Sequence, residues 1–228
     1  MTSTEPNGPQ SHPPRGRFTI VYLIHEAFRR DLRRLRDAVR SPAVDSSKAR
    51  RLGAHWNFVN DQLHHHHTVE DDSLWPLVRP KLAGKTDELE VLDKMESQHH
   101  ELEPKSQAIT ADFGAYPNQL SGEAGESLAL KLDDLATLLA AHLEDEETYC
   151  FPVIDAALSV EEFESFGKAT AKAIGMRGSA RFFPWIFDGA DPQERAAVLS
   201  MPPPPVRVLS GYVWEPRYKR QNPSLWTT

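Results

Sequence analysis

Three histidine–glutamate pairs recur at one spacing: His66 with Glu70, His99 with Glu103, and His142 with Glu146, each four residues apart, with a further histidine at His25. Four residues are about one helical turn, so within each pair both side chains lie on one face, about 5 to 6 Å apart at Cβ. Neutral imidazole nitrogen and carboxylate oxygen together suit iron, manganese or zinc. Seven donors exceed the four of a zinc site and match two ions that share bridging carboxylates and leave a position for an exogenous ligand. With three ionised glutamates, two Fe(II) and a bridging hydroxide are neutral. Oxidation to two Fe(III) with an oxo bridge leaves one positive charge, so redox cycling is electrostatically permitted.

Four amphipathic segments must position these groups, because each donor interrupts an apolar stripe of helical period. The stripes read Val21, His25, Phe28, Leu32, Leu35, Val39; then Leu52, Trp56, Val59, Leu63, His66, Glu70, Leu74, Leu77; then Leu92, Met95, His99, Leu102, Ser106, Ile109; then Leu128, Leu132, Leu135, Leu139, His142, Glu146, Tyr149, Val153. Buried carboxylates and imidazoles without compensation cost several kcal/mol each against a net stability of about 5 to 15 kcal/mol. A bound cation supplies that compensation. The expected fold is all-α, an up-down-up-down four-helix bundle over residues 18–157, preceded by a disordered tail at residues 1–17 and followed by a partly helical extension at residues 158–228.

The 228 residues carry a net charge of −7 and one cysteine, Cys150. An acidic balance speaks against a nucleic-acid partner. A lone cysteine excludes an internal disulfide and fits a reducing compartment. With no window of about 18 apolar residues and no apolar leader, a cytoplasmic protein without a membrane contact is expected. In the extension, Ser159 to Glu162 forms a capping box and Asp191-Pro192 opens a further helix. The run FFPWIF at 182–187 is too apolar to face water, so the extension is expected to fold back on the bundle or form a homodimer surface. VRVLSGYVWEPRYKRQ is ambiguous between a short helix and an extended arm.

Ile24-His25-Glu26, His66-His67-Thr-Val-Glu70-Asp71 running into Leu74-Trp75-Pro76, Gln98-His99, and His142-Leu143-Glu-Asp-Glu146-Glu147 running into Phe151-Pro152 together resemble the hemerythrin, or HHE cation-binding, family. The resemblance covers about residues 18 to 157. It implies a non-haem diiron centre between four helices that binds O₂ or its reduced forms, with His25, His66, Glu70, His99, His142 and Glu146 in ligand positions. Oxygen carriers of this family have HxxxH on the third helix, where this chain has Glu103. Their fourth-helix carboxylate comes one residue later, which would select Glu147. A more carboxylate-rich ligand set favours Fe(III) and shifts the expectation from reversible oxygen carriage toward oxidative or peroxide chemistry.

Of the run His64 to His67, one residue is expected to face the core centre, and the stripe selects His66. His64 and His65 are expected outside, and His67 is either a neighbour of a ligand or an extra one. His99 is preferred to His100. Pro104 works against Glu103 reaching inward, since proline disfavours helix at the preceding residue and removes a backbone donor. Tyr149, seven residues after His142, is either a core aromatic or a catalytic phenol hydrogen-bonded to the metal centre, whereas Cys150 is expected to point about a hundred degrees away as a small buried hydrophobe. Asp31 is read as pairing with arginines on a solvated face. The expected function is binding of O₂ or its reduced forms, in sensing or scavenging of O₂, nitric oxide or iron. The alternatives are an enzyme that disproportionates hydrogen peroxide at the two irons, and an interaction module with zinc or no metal.

Overall fold

The computed structural model describes residues 15–221 and 223–226, and there is no strand among the described residues. The tail expected at residues 1–17 lies, up to residue 14, outside the described residues. The chain divides into two compact units, one made of residues 28–175 with those from 221 onward, the other of residues up to 27 with 176–220.

The larger unit takes in α1 (Thr19–Val39) from Phe28 onward, α2 (Ser46–Val69), α3 (Trp75–Val78), α4 (Thr86–Ala115), α5 (Gly122–Asp145), α6 (Phe151–Ala157) and the first part of α7 (Val160–Ile186). Asp45 caps α2 by accepting from Lys48 N at 2.7 Å, and Ser121 caps α5 by accepting from Ala124 N at 3.0 Å. The pairing of side chains fixes antiparallel neighbours. Between α2 and α4, Trp56 Nε1 donates to Thr110 Oγ1 at 2.9 Å near one end, while His67 stacks on His99 near the other. Between α4 and α5, Gln98 meets Asp145 and Lys131 meets Asp112; between α1 and α5, Arg29 meets Glu147 and Arg40 meets Glu126. This is the expected all-α bundle, with Phe28, Leu35, Leu52, Trp56, Leu92, Leu132 and Leu135 fully buried between the helices.

Gly125 sets how closely α5 approaches the end of α1. A Cβ there would stand 2.5 Å from the carbonyl oxygen of Val39 and 3.1 Å from the hydroxyl of Tyr116, which itself donates to that carbonyl at 3.1 Å. Backbone cannot yield as a side chain does, so Gly125→Ala is expected to destabilise the protein by about 1 to 3 kcal/mol, read from urea denaturation midpoints, despite alanine's better helix propensity.

Two helices widen where their glutamates sit. α2 passes into a π-helical turn at Glu70–Leu74 and α5 into another at Glu146–Cys150. Each is followed by an aromatic residue and a proline, Trp75-Pro76 and Phe151-Pro152. Proline brings no N–H to the ladder, and the chain lengthens the preceding hydrogen bonds instead: Trp75 N bonds Glu70 O and Phe151 N bonds Glu146 O, five residues back. Each helix therefore continues past its aromatic–proline pair. The extra residue moves the buried stripe by one position, so Leu74, Val78, Cys150 and Ile154 are buried while Ser73 and Tyr149 are exposed. Pro104 causes no comparable break, because α4 runs through it with that residue at the solvated surface, where water can serve the carbonyl it leaves without a donor.

α7 breaks at Gly175, whose φ of 63° and ψ of −178° only glycine adopts readily. The smaller unit holds the rest of α7, then α8 (Pro192–Ser200), α9 (Pro204–Leu209), a π-helical turn at Ser210–Trp214 and α10 (Glu215–Gln221) up to Arg220. VRVLSGYVWEPRYKRQ is thus helical. Both expected helix starts are present: Ser159 and Glu162 satisfy each other's backbone N–H, and Asp191 accepts from Gln193 N at 2.7 Å. Phe182, Phe183, Trp185, Ile186 and Phe187 are buried, as their composition demanded. Arg195 donates to Glu215 at 2.6 Å and lies over the Phe187 ring. A last helix, α11 (Pro223–Trp226), belongs with the larger unit.

Candidate metal centre

The α2 stripe delivers two adjacent histidines to the interior. His66 has 9% of its side chain exposed and His67 is 9% exposed overall. α4 brings in His99, and α5 brings in His142 and Glu146, while Glu70 enters from the first π-helical turn. Glu70, His99, His142 and Glu146 are each at most 4% exposed, as is His25 on α1, whose ring meets Tyr22 edge-on.

His67, His99 and His142 each offer a ligand atom within 4.8 Å of the others. His67 stacks on His99 with centroids 4.0 Å apart and stands edge-on to His142 at 5.3 Å. Burial first, then the neighbouring imidazoles of His99, His66 and His142, hold the pKa of His67 well below the ordinary value. It is therefore neutral, the form that ligates metal. Nε2 of His67 and Nε2 of His99 are buried and find no hydrogen-bond partner among the described residues.

Glu70 links this trio to His66. Its Oε1 lies 3.3 Å from His66 Nε2 and its Oε2 lies 3.4 Å from His99 Nε2. Glu146 stands in a similar relation, with Oε2 at 3.8 Å from His66 Nε2 and 4.0 Å from His142 Nε2. Each carboxylate thus faces two histidines from different helices.

The far sides of two rings are held from behind. Asp71 Oδ1 takes His99 Nδ1 at 2.9 Å and Trp75 Nε1 at 3.0 Å. A carboxylate only accepts, so Nδ1 of His99 is the donor to Asp71 and Nε2 is the nitrogen turned toward Glu70. His142 Nδ1 meets Gln98 Oε1 at 3.0 Å, and the amide nitrogen of Gln98 donates to Asp145 at 2.8 Å, which fixes the amide's orientation. Burial raises the Asp145 pKa, but bonds from Lys94 and Gln98 outweigh this and leave it lowered, so the anchor stays ionised. Between α2 and α4 a cleft of about 120 Å³ runs from exposed His64, His100 and Glu103 to His67, Asp71 and His99.

Two expected site residues are placed elsewhere. Glu103 is exposed, its Oε1 accepting from Gln107 at 3.1 Å, because its position on α4 turns toward water and not toward the axis. Tyr149 is 55% exposed with Lys94 Nζ 6.0 Å from its ring centre. It lies within the second π-helical turn, where the inward position falls one residue later. Cys150 occupies that position, fully buried, with burial first and then the charges of Glu146 and Glu70 pushing its thiol pKa far up. Glu147 faces Arg29 at 3.0 Å, so Glu146 is the α5 carboxylate inside. Asp31 also departs from expectation: it is fully buried and bonded to His55 Nε2 at 2.7 Å.

His67, read from the sequence as either a neighbour of a ligand or an extra one, lies inside with His99 and His142, whereas Asp71 and Gln98 are participants to which sequence reasoning gave no role. Their signal was adjacency, since each neighbours a residue already singled out. A rule admitting one inward residue per helical turn discards such neighbours, yet the space between four helices admits two adjacent positions of α2.

Three buried imidazoles and two buried carboxylates that converge, with ligand nitrogens aimed inward and far nitrogens tethered, form a donor set that fits borderline divalent and trivalent metals. A family model described as the hemerythrin HHE cation binding domain matches residues 18–154. Searches of curated proteins and of solved structures returned no match.

Proposed function

The chain belongs to the hemerythrin HHE cation-binding family, and from that premise we propose that it holds two iron ions within the bundle and binds O₂ or its reduced forms there. The ligands in this reading are His66, Glu70, His99, His142 and Glu146. The observation that carries it is the placing of Glu70, whose two oxygens face histidines of α2 and α4 at 3.3 and 3.4 Å, the arrangement a carboxylate needs to bridge two metals. When bound, the irons supply redox chemistry and an open position for a small ligand.

The protein's own groups serve that chemistry in separable ways. Asp71 and Gln98 hold two imidazoles in the tautomer that leaves Nε2 for metal. The cleft between α2 and α4 leads to the His67 and His99 rings, and its volume of about 120 Å³ leaves room there for a small ligand such as O₂. Disproportionation of peroxide is the less favoured reading, since Tyr149 and Glu103, the groups nominated for its proton handling and carboxylate-rich ligation, face water.

Anaerobic loading with Fe(II), removal of excess and metal analysis test the proposal. About two irons per chain are expected, with an absorption spectrum that changes on exposure to O₂. Substoichiometric iron that is unaffected by the double change His66→Ala and His142→Ala overturns the centre. Uptake of zinc in its place selects an interaction module, and peroxide consumption with oxygen release selects the enzyme.

A further inference from the structure

α4 contributes one imidazole to the interior, His99, and the next turn of its inward stripe does not continue with a donor: Leu102 is buried and Glu103 turns out to Gln107. α2 contributes two. Adjacent helical residues diverge by about 100°, so His66 and His67 cannot serve the same point; one is placed toward Glu70 and Glu146, the other toward α4 and α5. We propose that His67 is itself a metal ligand and completes, with His99 and His142, a three-imidazole set around one ion of the pair. The proposal rests on the iron-centre reading above and adds to it a ligand from α2 that neither the four-residue spacing nor any pairing with a glutamate indicates.

Three observations support it. The ligand atoms of His67, His99 and His142 lie within 4.8 Å of one another, near enough to surround a common ion. Nε2 of His67 is buried without a hydrogen-bond partner among the described residues, which a ring present for packing alone would leave uncompensated. The ring is held in place by stacking on His99 at 4.0 Å and 13° and by its edge contact with His142, so little reorganisation precedes ligation.

The test compares wild type, His67→Ala and Glu103→Ala after loading with Fe(II), and separately with Co(II) as a spectroscopic probe, on the full chain. His67→Ala is expected to retain about half the metal of wild type, with altered Co(II) absorption bands and partial restoration by added free imidazole. Glu103→Ala is expected to match wild type in metal content and spectrum. If His67→Ala keeps wild-type content and bands, or Glu103→Ala loses metal in its place, the proposal is overturned while the iron centre stands. If wild type takes up neither metal, both fail. Should His67→Ala lose helical content, His67→Gln keeps the side-chain volume and is judged by the same two readouts, and the exposed Glu103→Ala answers independently of folding.

Discussion

Iron-loaded protein is expected to unfold at a temperature about 10 to 20 °C above the metal-free form when free metal exceeds the dissociation constant of both sites about a hundredfold. The donors come from helices far apart in sequence, so unfolding separates them and the ions stabilise the native state alone, by about 2.7 kcal/mol for each ion at that excess. The metal-free interior carries the cost: Glu70 and Glu146, at most 4% exposed, must be held there without the metal charge that suits them. In His66→Ala with His142→Ala the difference between loaded and metal-free protein should vanish. Differential scanning calorimetry on paired samples checks this, and coincident wild-type transitions would remove the case for buried ligation.

Asp31→Ala should be as damaging at a place where no metal is involved. Asp31 is fully buried, bonded to His55 at 2.7 Å and to Arg30 at 2.8 Å, and the His55 ring in turn meets Trp226 of α11 edge-on at 5.0 Å. Removing the carboxylate leaves a buried imidazole and a partly buried guanidinium without their shared acceptor, a loss of about 3 to 5 kcal/mol. The pH dependence has a definite sign. Burial raises the Asp31 pKa, but the His55 hydrogen bond and the Arg30 charge outweigh it and lower the value from 3.8 to about 2. A depressed carboxylate stabilises the fold above its unfolded pKa and loses that contribution as pH falls through the folded one. Wild type should therefore lose about 2 kcal/mol between about pH 4 and pH 2 from this group. Asp31→Asn should lack that component. Urea midpoints across that range decide the matter, and parallel slopes for the two proteins would exclude the pair as the cause.

The iron prediction tests a feature legible in the sequence, and the Asp31 prediction tests one that was not. Polar residues inside an apolar stripe declare themselves, because period and burial are local properties of a helix. His25, His66, His99 and His142 were found in that way, as was Glu70 with its partner Glu146. Asp31 sits among arginines on a strongly charged helix, where a solvated pairing is the ordinary reading. Only the approach of His55 from α2 turns it into a buried acceptor.

The four long helical segments of the bundle, their antiparallel order and the identity of most inward donors followed from the sequence, since a 3.6-residue period interrupted by imidazoles and carboxylates admits few other arrangements. Phase beyond the glutamates did not follow. A π-helical turn spans Glu146–Cys150, and counting seven on from His142 places Tyr149 inside, whereas the fold leaves Tyr149 exposed and turns the buried Cys150 inward. The choice between neighbours, Glu146 over Glu147 and His67 alongside His66, was likewise made by tertiary structure. It depends on what the facing helix presents at each level: Arg29 draws Glu147 outward, and His99 receives the ring of His67. Spacing along one helix carries no record of its neighbours, which is why the donors could be read from the chain and their final grouping only from the packed bundle.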